Sequence, residues 1–400
     1  MHIRGSGGSK MKNSCEVADI FRLYGKDYQN KNHLSYKELK TMHHITACRT
    51  AQLGGHIEQC DHCNFERIAY NSCRDRHCPK CQSMVKEKWL NDRKADLLPC
   101  NYFHMVFTLP HKLNTIILKN KKIMLNILFI AVSQTLQAFA KDPQWRLQGQ
   151  VGFICVLHTW SQKLIDHFHL HCLIAGGALS FDKKRWIASK KLFMFRVQSL
   201  SKEFKKRYLH LFEKAYLNNE LCFPGRTAKY ESREKFDSLV QSLFKLKWIT
   251  YAKRPFAGPQ QVLEYLGRYT HRIAISNNRI KSIDNGQVSF EYKDRTDNDT
   301  TKMMTVSANE FIRRFLLHVL PNNFMKIRYF GFLSHRNKKQ AIKLIRKFIN
   351  PDAALPEKIN ETIFEMMFRL TGQDITCCPK CKKGKMTIIK ELSNQYLNSS

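Results

Sequence analysis

His167, His169 and His171 take alternate positions in Asp166-His167-Phe168-His169-Leu170-His171, so on a β-strand their imidazoles project from one face. Several titratable rings on one face are costly unless a metal or substrate uses them, and the spacing predicts a metal clamp. Zinc, nickel and iron accept imidazole readily; magnesium or manganese can use it when phosphate oxygens complete the shell. A second element lies in residues 261–272, where helical spacing puts Tyr265 and Tyr269 on one face with Arg268 and Arg272 beside them. Alone, such an aromatic pair reads as core. Beside a histidine clamp in a basic chain, a tyrosine hydroxyl is a candidate nucleophile toward phosphorus.

Cysteines supply the next constellation. Cys60-x2-Cys63 and Cys78-x2-Cys81 form the paired-knuckle pattern in which two tight turns present four thiolates to one tetrahedral zinc. Cys73, His77 and His62 lie among them, as alternative ligands or as members of a second site. The rim carries Arg67, Arg74, Arg76, Lys80, Lys86 and Lys88, so this small zinc module reads as a DNA-gripping element. A further knuckle, Cys377-Cys378-Pro379-Lys380-Cys381, offers at most three thiolates and needs a ligand from elsewhere. Exposed thiols are an equal reading there, and no metal is assigned to it.

The partner follows from charge. Lys and Arg number 67 against 33 Asp and Glu in 400 residues, a formal net charge of +34 that implies a large polyanion, nucleic acid first. The cations are spread along the chain instead of forming one juxtamembrane block, which disfavours a membrane surface. The longest apolar run, 123–132, contains Asn126 and is too short to span a bilayer, and the Gly/Ser-rich start is neither signal peptide nor anchor. The expected location is cytoplasmic and nucleoid-associated, where most of the 14 cysteines are free or metal-bound.

These residues need elements to hold them. Residues 15–50 carry helical apolar spacing, 102–110 reads as a buried strand ended by Pro110, and 116–139 as a long helix. Strands follow at 151–158 and at 167–175, the latter stopped by Gly176-Gly177. A strand, a helix and two strands open a split β-α-β palm with an antiparallel sheet, so the class is α+β. Phe168, Leu170, Cys172 and Ile174 then pack on helices and the histidines face the open side. In 180–250, lysines and arginines interleave with Trp186, Phe193, Phe195 and Phe204; a single-strand groove would look like this, but core is the better reading for most of these aromatics. Residues 284–306 form a hairpin turning at Asp284-Asn285-Gly286, and the C-terminal part is helical and basic. The expected organisation is a disordered 1–14, a zinc-binding DNA-binding domain at 15–98, a catalytic domain at 99–335 with an insertion at 180–250, and a basic helical region and tail at 336–400.

His169-Leu170-His171 followed by Tyr265-Leu266-Gly267-Arg268-Tyr269-Thr270-His271-Arg272 resembles the two-tyrosine, IS91-like rolling-circle transposases of the HUH superfamily. The likeness also takes in residues 73–81, Phe107-Thr108-Leu109-Pro110, Leu157-His158-Thr159-Trp160, Ala274-Ile275-Ser276-Asn277 and residues 328–333. It implies an HUH-type palm that cuts and rejoins single-stranded DNA at element ends and target. His169, His171 and a third ligand would hold Mg2+ or Mn2+ against the scissile phosphate. His167 ranks first for that third place, with His158, Glu264 and His271 as competitors. Tyr265 or Tyr269 would attack, giving a 5′-phosphotyrosine and a free 3′-hydroxyl, while Arg268, His271 and Arg272 contact phosphate. Structural Zn2+ belongs to the same picture, and a homo-oligomer is compatible with it. The alternatives are a plasmid relaxase or replication initiator with the same chemistry, and a non-catalytic zinc DNA-binding regulator. The last leaves the histidine strand and tyrosine pair without purpose.

Overall fold

Two capping boxes open the chain: Glu16 with Asp19 starts helix α1 (Val17–Lys31), and Ser35 with Glu38 starts α2 (Tyr36–Ala47). The computed structural model describes residues 15–190, 194–253, 256, 261, 262, 265, 267, 270, 273–294, 297–351 and 361–394. After α2 come a short hairpin, β1 (Gly55–Cys60) and β2 (Glu66–Tyr70), and helix α3 (Gln82–Lys94), which begins directly after Cys81.

The central sheet starts with β3 (Tyr102–Thr108), followed by helices α4 (Asn114–Lys119) and α5 (Lys121–Lys141). Strands β4 (Gly149–Trp160), β5 (Asp166–Ser180) and β6 (Trp186–Ala188) follow, then α6 (Val197–Leu217), α7 (Arg233–Lys245) and β7 (Thr250–Ala252). A meander of β8 (Ile280–Asp284), β9 (Gln287–Asp294) and β10 (Thr300–Ser307) leads into α8 (Ala308–Leu317). The chain finishes with β11 (Ile327–Phe330), α9 (Lys338–Ile349), α10 (Ile363–Thr371) and β12 (Met386–Leu392).

Strand order in the central sheet is β11-β4-β5-β3-β7, with β6 beside β5, and all these pairings are antiparallel. Because β5 lies between β3 and β4, those two run parallel, and α4 and α5 join them: a split β-α-β unit with the histidine strand at its centre. Period-two alternation does the sorting. Phe168, Leu170, Cys172 and Ile174 enter one core with α5, α6 and α7, including Phe107, Phe153, Phe204 and Phe236. Each such fully buried side chain contributes roughly 1.5–3 kcal/mol relative to exposure. Helix α5 is long and apolar enough to cross a membrane by composition alone, yet it is the core helix of this unit.

The structure departs from sequence expectation in three places, the α4–α5 break, the length of β5 and the C-terminal strand, and meets it in the 180–250 aromatics. The helix expected over 116–139 breaks at Asn120, whose side-chain amide donates to the carbonyls of Ile116 and Cys222. The histidine strand runs through Gly176-Gly177 to Ser180, because β6 pairs with Gly177–Leu179 and keeps the ladder bonded. Phe195 and Phe204 of the 180–250 segment are buried core, while Phe193 lies outside the described residues. The basic C-terminal part does not end as helix: β12 crosses to pair with β1.

A second core joins α1, α2 and α8 to β8 and β9, with Cys48, Cys78 and Cys81 packed in it. Phe21 meets Phe315 edge-on at 5.3 Å there. The Cys78–Cys81 knuckle therefore shares its hydrophobic support with residues far downstream. Arg76 reinforces that seam by donating to the carbonyls of Leu320, Pro321 and Phe324.

Candidate active site

His158 on β4 pairs across the ladder with His169 on β5, and His171 stands two residues further along the same face. Their ligand nitrogens all lie within 4.8 Å of one another, and the three side chains are buried. His169 donates from Nδ1 to the His167 carbonyl at 2.9 Å, which fixes the tautomer and leaves Nε2 as a bare lone pair. That Nε2 is 3.1 Å from Nε2 of His171. Two nitrogens held by one ion at about 2.1 Å, at right angles, are about 3.0 Å apart, so the histidines fit a divalent cation.

Of the candidates for the third place, His158 and not His167 converges with His169 and His171. A bulge is the reason. Register shifts between His158 and Trp160, where Trp160 pairs with Asp166, so two residues of β5 oppose one of β4. The His167 ring ends at the mouth, 5.5 Å from the His111 ring, between centroids. A cleft of about 340 Å³ opens there, lined by the three converging histidines with Trp160, Lys163 and Lys293. Asp166 also faces it; burial raises its pKa, against the pull of Arg313, Lys121 and His111, and its Oδ1 is buried without a hydrogen-bond partner.

Tyr265 reaches this cluster. Its hydroxyl lies 3.3 Å from Nδ1 of His171 and within hydrogen-bond reach of Nε2 of His104, which is itself 3.0 Å from His171 Nδ1. Burial, with Lys253 adding to it, pushes the His104 pKa down to about 3, so the ring is neutral and can hold the tyrosine hydroxyl by a hydrogen bond. His104 escaped sequence reading. Its only signal was one polar ring in the otherwise apolar strand residues 102–107. Tyr269, Arg268, Arg272, His271 and Glu264 lie outside the described residues.

The four cysteines expected in one site fall into two. Cys48, Cys73, Cys78 and Cys81 converge, with Sγ distances of 3.5 Å for Cys48 to Cys81 and 3.6 Å for Cys73 to Cys81. Cys60 and Cys63 belong instead with Cys378 and Cys381. The hairpin explains the split: Cys60 closes β1, and the chain must return along β2 before Cys73, so the knuckles sit at opposite ends of β1 and β2. Within the first group, hydrogen bonds from Cys48, Cys73 and Cys78 hold the Cys81 thiol far below its usual range, and contact with Cys73 draws Cys48 to about 7. The same contacts push Cys73 and Cys78 up, so it is the sulfur distances that suit zinc. His62 and His77 join neither group.

This first cluster also touches the chemistry. Helix α3 leaves from Cys81, and its Leu90 and Lys86 lie so close to Gly267 that a Cβ there would stand 3.0 Å from Leu90 Cδ1. The zinc module thus backs the segment that carries Tyr265.

A histidine trio beside a tyrosine hydroxyl, joined to cysteine clusters on a strongly basic chain, fits the class of DNA-acting proteins, and comparison with known proteins narrows that class. Residues 152–341 match the family described as "Putative transposase", and residues 20–109 match "Transposase zinc-binding domain". The chain is 46% identical over 381 residues to "Putative transposase y4qJ" of Sinorhizobium fredii, covering 94% of this chain and 95% of that one. It is 27% identical over 305 residues to "Transposase for insertion sequence element IS801" of Pseudomonas savastanoi pv. phaseolicola, covering 75% and 71%. No solved structure matches. The chain belongs to the IS91 family of transposases. It is accordingly a DNA-binding protein, and its zinc-binding domain and thiolate clusters support structural zinc.

Proposed function

We propose that this transposase cuts and rejoins single-stranded DNA through a 5′-phosphotyrosine, on an HUH-type palm, with Mg2+ or Mn2+ held by His158, His169 and His171. One observation carries the reading: His171 offers Nε2 to the ligand trio while its Nδ1 lies 3.3 Å from the Tyr265 hydroxyl, which joins nucleophile and metal site through one ring. When bound, the cation would draw charge from a nonbridging oxygen of the scissile phosphate.

The chain's own residues do the rest. His104 holds the Tyr265 hydroxyl, whose proton passes to water as its oxygen attacks phosphorus, and the bond to the 3′ oxygen breaks; that oxygen leaves as a 3′-hydroxyl after protonation by water. Tyr265 does not line the cleft, so attack begins with its ring turning from His104 toward the Nε2 side of His171. Tyr269 supplies the second nucleophile, so that two strand ends can be held at once. The phosphotyrosine conserves the bond energy for rejoining. Lys163 and Lys293 at the cleft, with Arg268, His271 and Arg272, follow the DNA backbone, and His167 at the mouth contacts substrate.

The test is direct. The protein, Mn2+ and a single-stranded oligonucleotide bearing the element's end sequence should give a covalent adduct that survives denaturing electrophoresis. If the adduct persists in the Tyr265→Phe/Tyr269→Phe double variant, the mechanism is wrong.

A further inference from the structure

We infer that Cys60, Cys63, Cys378 and Cys381 bind a second structural zinc, and that this zinc fastens the two ends of the chain into one split ribbon. The family's zinc-binding match stops at residue 109 and the transposase match at 341, so half of this site lies beyond both.

Sulfur geometry comes first. Cys60 Sγ is 3.7 Å from Cys381 Sγ, and Cys63 Sγ is 3.6 Å from Cys378 Sγ. A zinc ion with Zn–S of about 2.3 Å holds tetrahedral sulfurs about 3.8 Å apart, whereas a disulfide needs about 2.05 Å. The distances match the metal and not the bond.

Both pairs sit in the same turn, built twice. Asn64 donates its backbone N–H to the Cys60 carbonyl at 3.1 Å, and Lys382 donates likewise to the Cys378 carbonyl at 3.0 Å. Each of these residues is left-handed, at φ 54° and 56° respectively, and each directly follows the second cysteine of its pair. Backbone N–H groups then point at sulfur: those of His62 and Cys63 approach Cys60 Sγ at 3.4 Å, that of Cys381 approaches Cys378 Sγ at 3.5 Å, and that of Gly384 approaches Cys381 Sγ at 3.4 Å. Donors arranged around sulfur stabilise thiolate, the form that binds zinc. Gly384 is required by the approach of the two knuckles, since a Cβ there would lie 2.5 Å from Cys60 Sγ.

Burial does not hold this join. Strand β12 pairs along β1 from Cys60–Met386 to Gly55–Leu392, yet no residue of β12 is buried, and Ile388 and Ile389 are 57% and 50% exposed. A strand with no core of its own, bonded to a segment more than 300 residues away in sequence, needs another source of stability. Metal ligation across that separation supplies it.

Cobalt(II) substituted into the full chain tests this, because sulfur-to-cobalt charge transfer reports thiolate sites and ignores histidine ones. Two equivalents are expected for the native chain. The Cys378→Ser/Cys381→Ser variant should lose half of the band, Cys60→Ser/Cys63→Ser the same half, and the combination of all four no more. Limited proteolysis should cut the tail faster in each variant. An unchanged band in Cys378→Ser/Cys381→Ser, or a complete loss in the fourfold variant that retains its native far-ultraviolet circular dichroism, overturns the inference. Should the serine variants not fold, Cys381→His, which keeps four ligands, must retain both equivalents; retention of only one refutes a shared site.

Discussion

The Nε2 atoms of His169 and His171 face each other at 3.1 Å, and the Nδ1 of His169 is already committed to the His167 carbonyl. Two imidazole lone pairs at that distance repel unless a proton or a cation lies between them. A cation relieves both rings together and recruits His158. Replacing His158 or His171 by alanine should therefore lower Mn2+-dependent adduct formation by about 100-fold or more, with DNA affinity held within a few-fold because charge supplies most of the binding. His167→Ala should cost less than about 10-fold; a loss as deep as that of His158→Ala would restore His167 as the ligand.

The contact between Tyr265 and His104 makes a separate forecast. A partner that orients the nucleophile's hydroxyl contributes up to about 10²-fold to rate. His104→Ala should reduce the single-turnover rate on that scale while leaving the oligonucleotide's binding curve in place. A shift confined to binding would assign His104 to packing.

Gly267 sets a third test, through its fit against Leu90 and Lys86 of α3. Gly267→Val should push the tyrosine segment off its support at a cost of about 1–3 kcal/mol and lower cleavage at least about 10-fold. Zinc content should not change. Loss of zinc with activity retained would show that the helix serves only the metal module.

His318 gives the stability a pH dependence. Buried and bonded to Thr159 and the Leu164 carbonyl, it is held neutral, its pKa pushed from 6.5 down to about 3 by burial. Unfolded chain binds that proton and folded chain does not, so stability is full above pH 6.5 and is lost as pH falls toward 3, at up to about 1.4 kcal/mol per pH unit. Urea midpoints measured across this window should fall less steeply in His318→Gln; an identical slope would remove His318 from the account.

Legibility in the sequence followed the range of the interaction. Period-two alternation in residues 166–174 fixed which face of β5 is core and which carries histidine, because that pattern is local. Asn285-Gly286 announced the turn between β8 and β9 for the same reason. What sequence spacing could not carry was the bulge between His158 and Trp160, which exchanged His167 for His158. Nor could adjacency show that Cys48, a lone residue after α2, completes the knuckle of Cys78 and Cys81. For the last knuckle, spacing left a distant ligand and exposed thiols as equal readings, because the cysteine that meets Cys378 lies 315 residues earlier. His104 is the remaining case, since a histidine in an apolar strand has many possible partners until β3 is laid beside β5.

The pairing of β12 with β1 also sets a timetable. During synthesis the Cys63 sulfur leaves the ribosome 315 residues ahead of Cys378, a delay of roughly 15–60 s at ordinary elongation rates. For that interval Cys60 and Cys63 are without Cys378 and Cys381, while the residues of the central sheet are made between the two pairs. A message that stops short of Cys378 encodes the histidine trio but leaves Cys60 and Cys63 without the sulfurs that meet them in the folded chain.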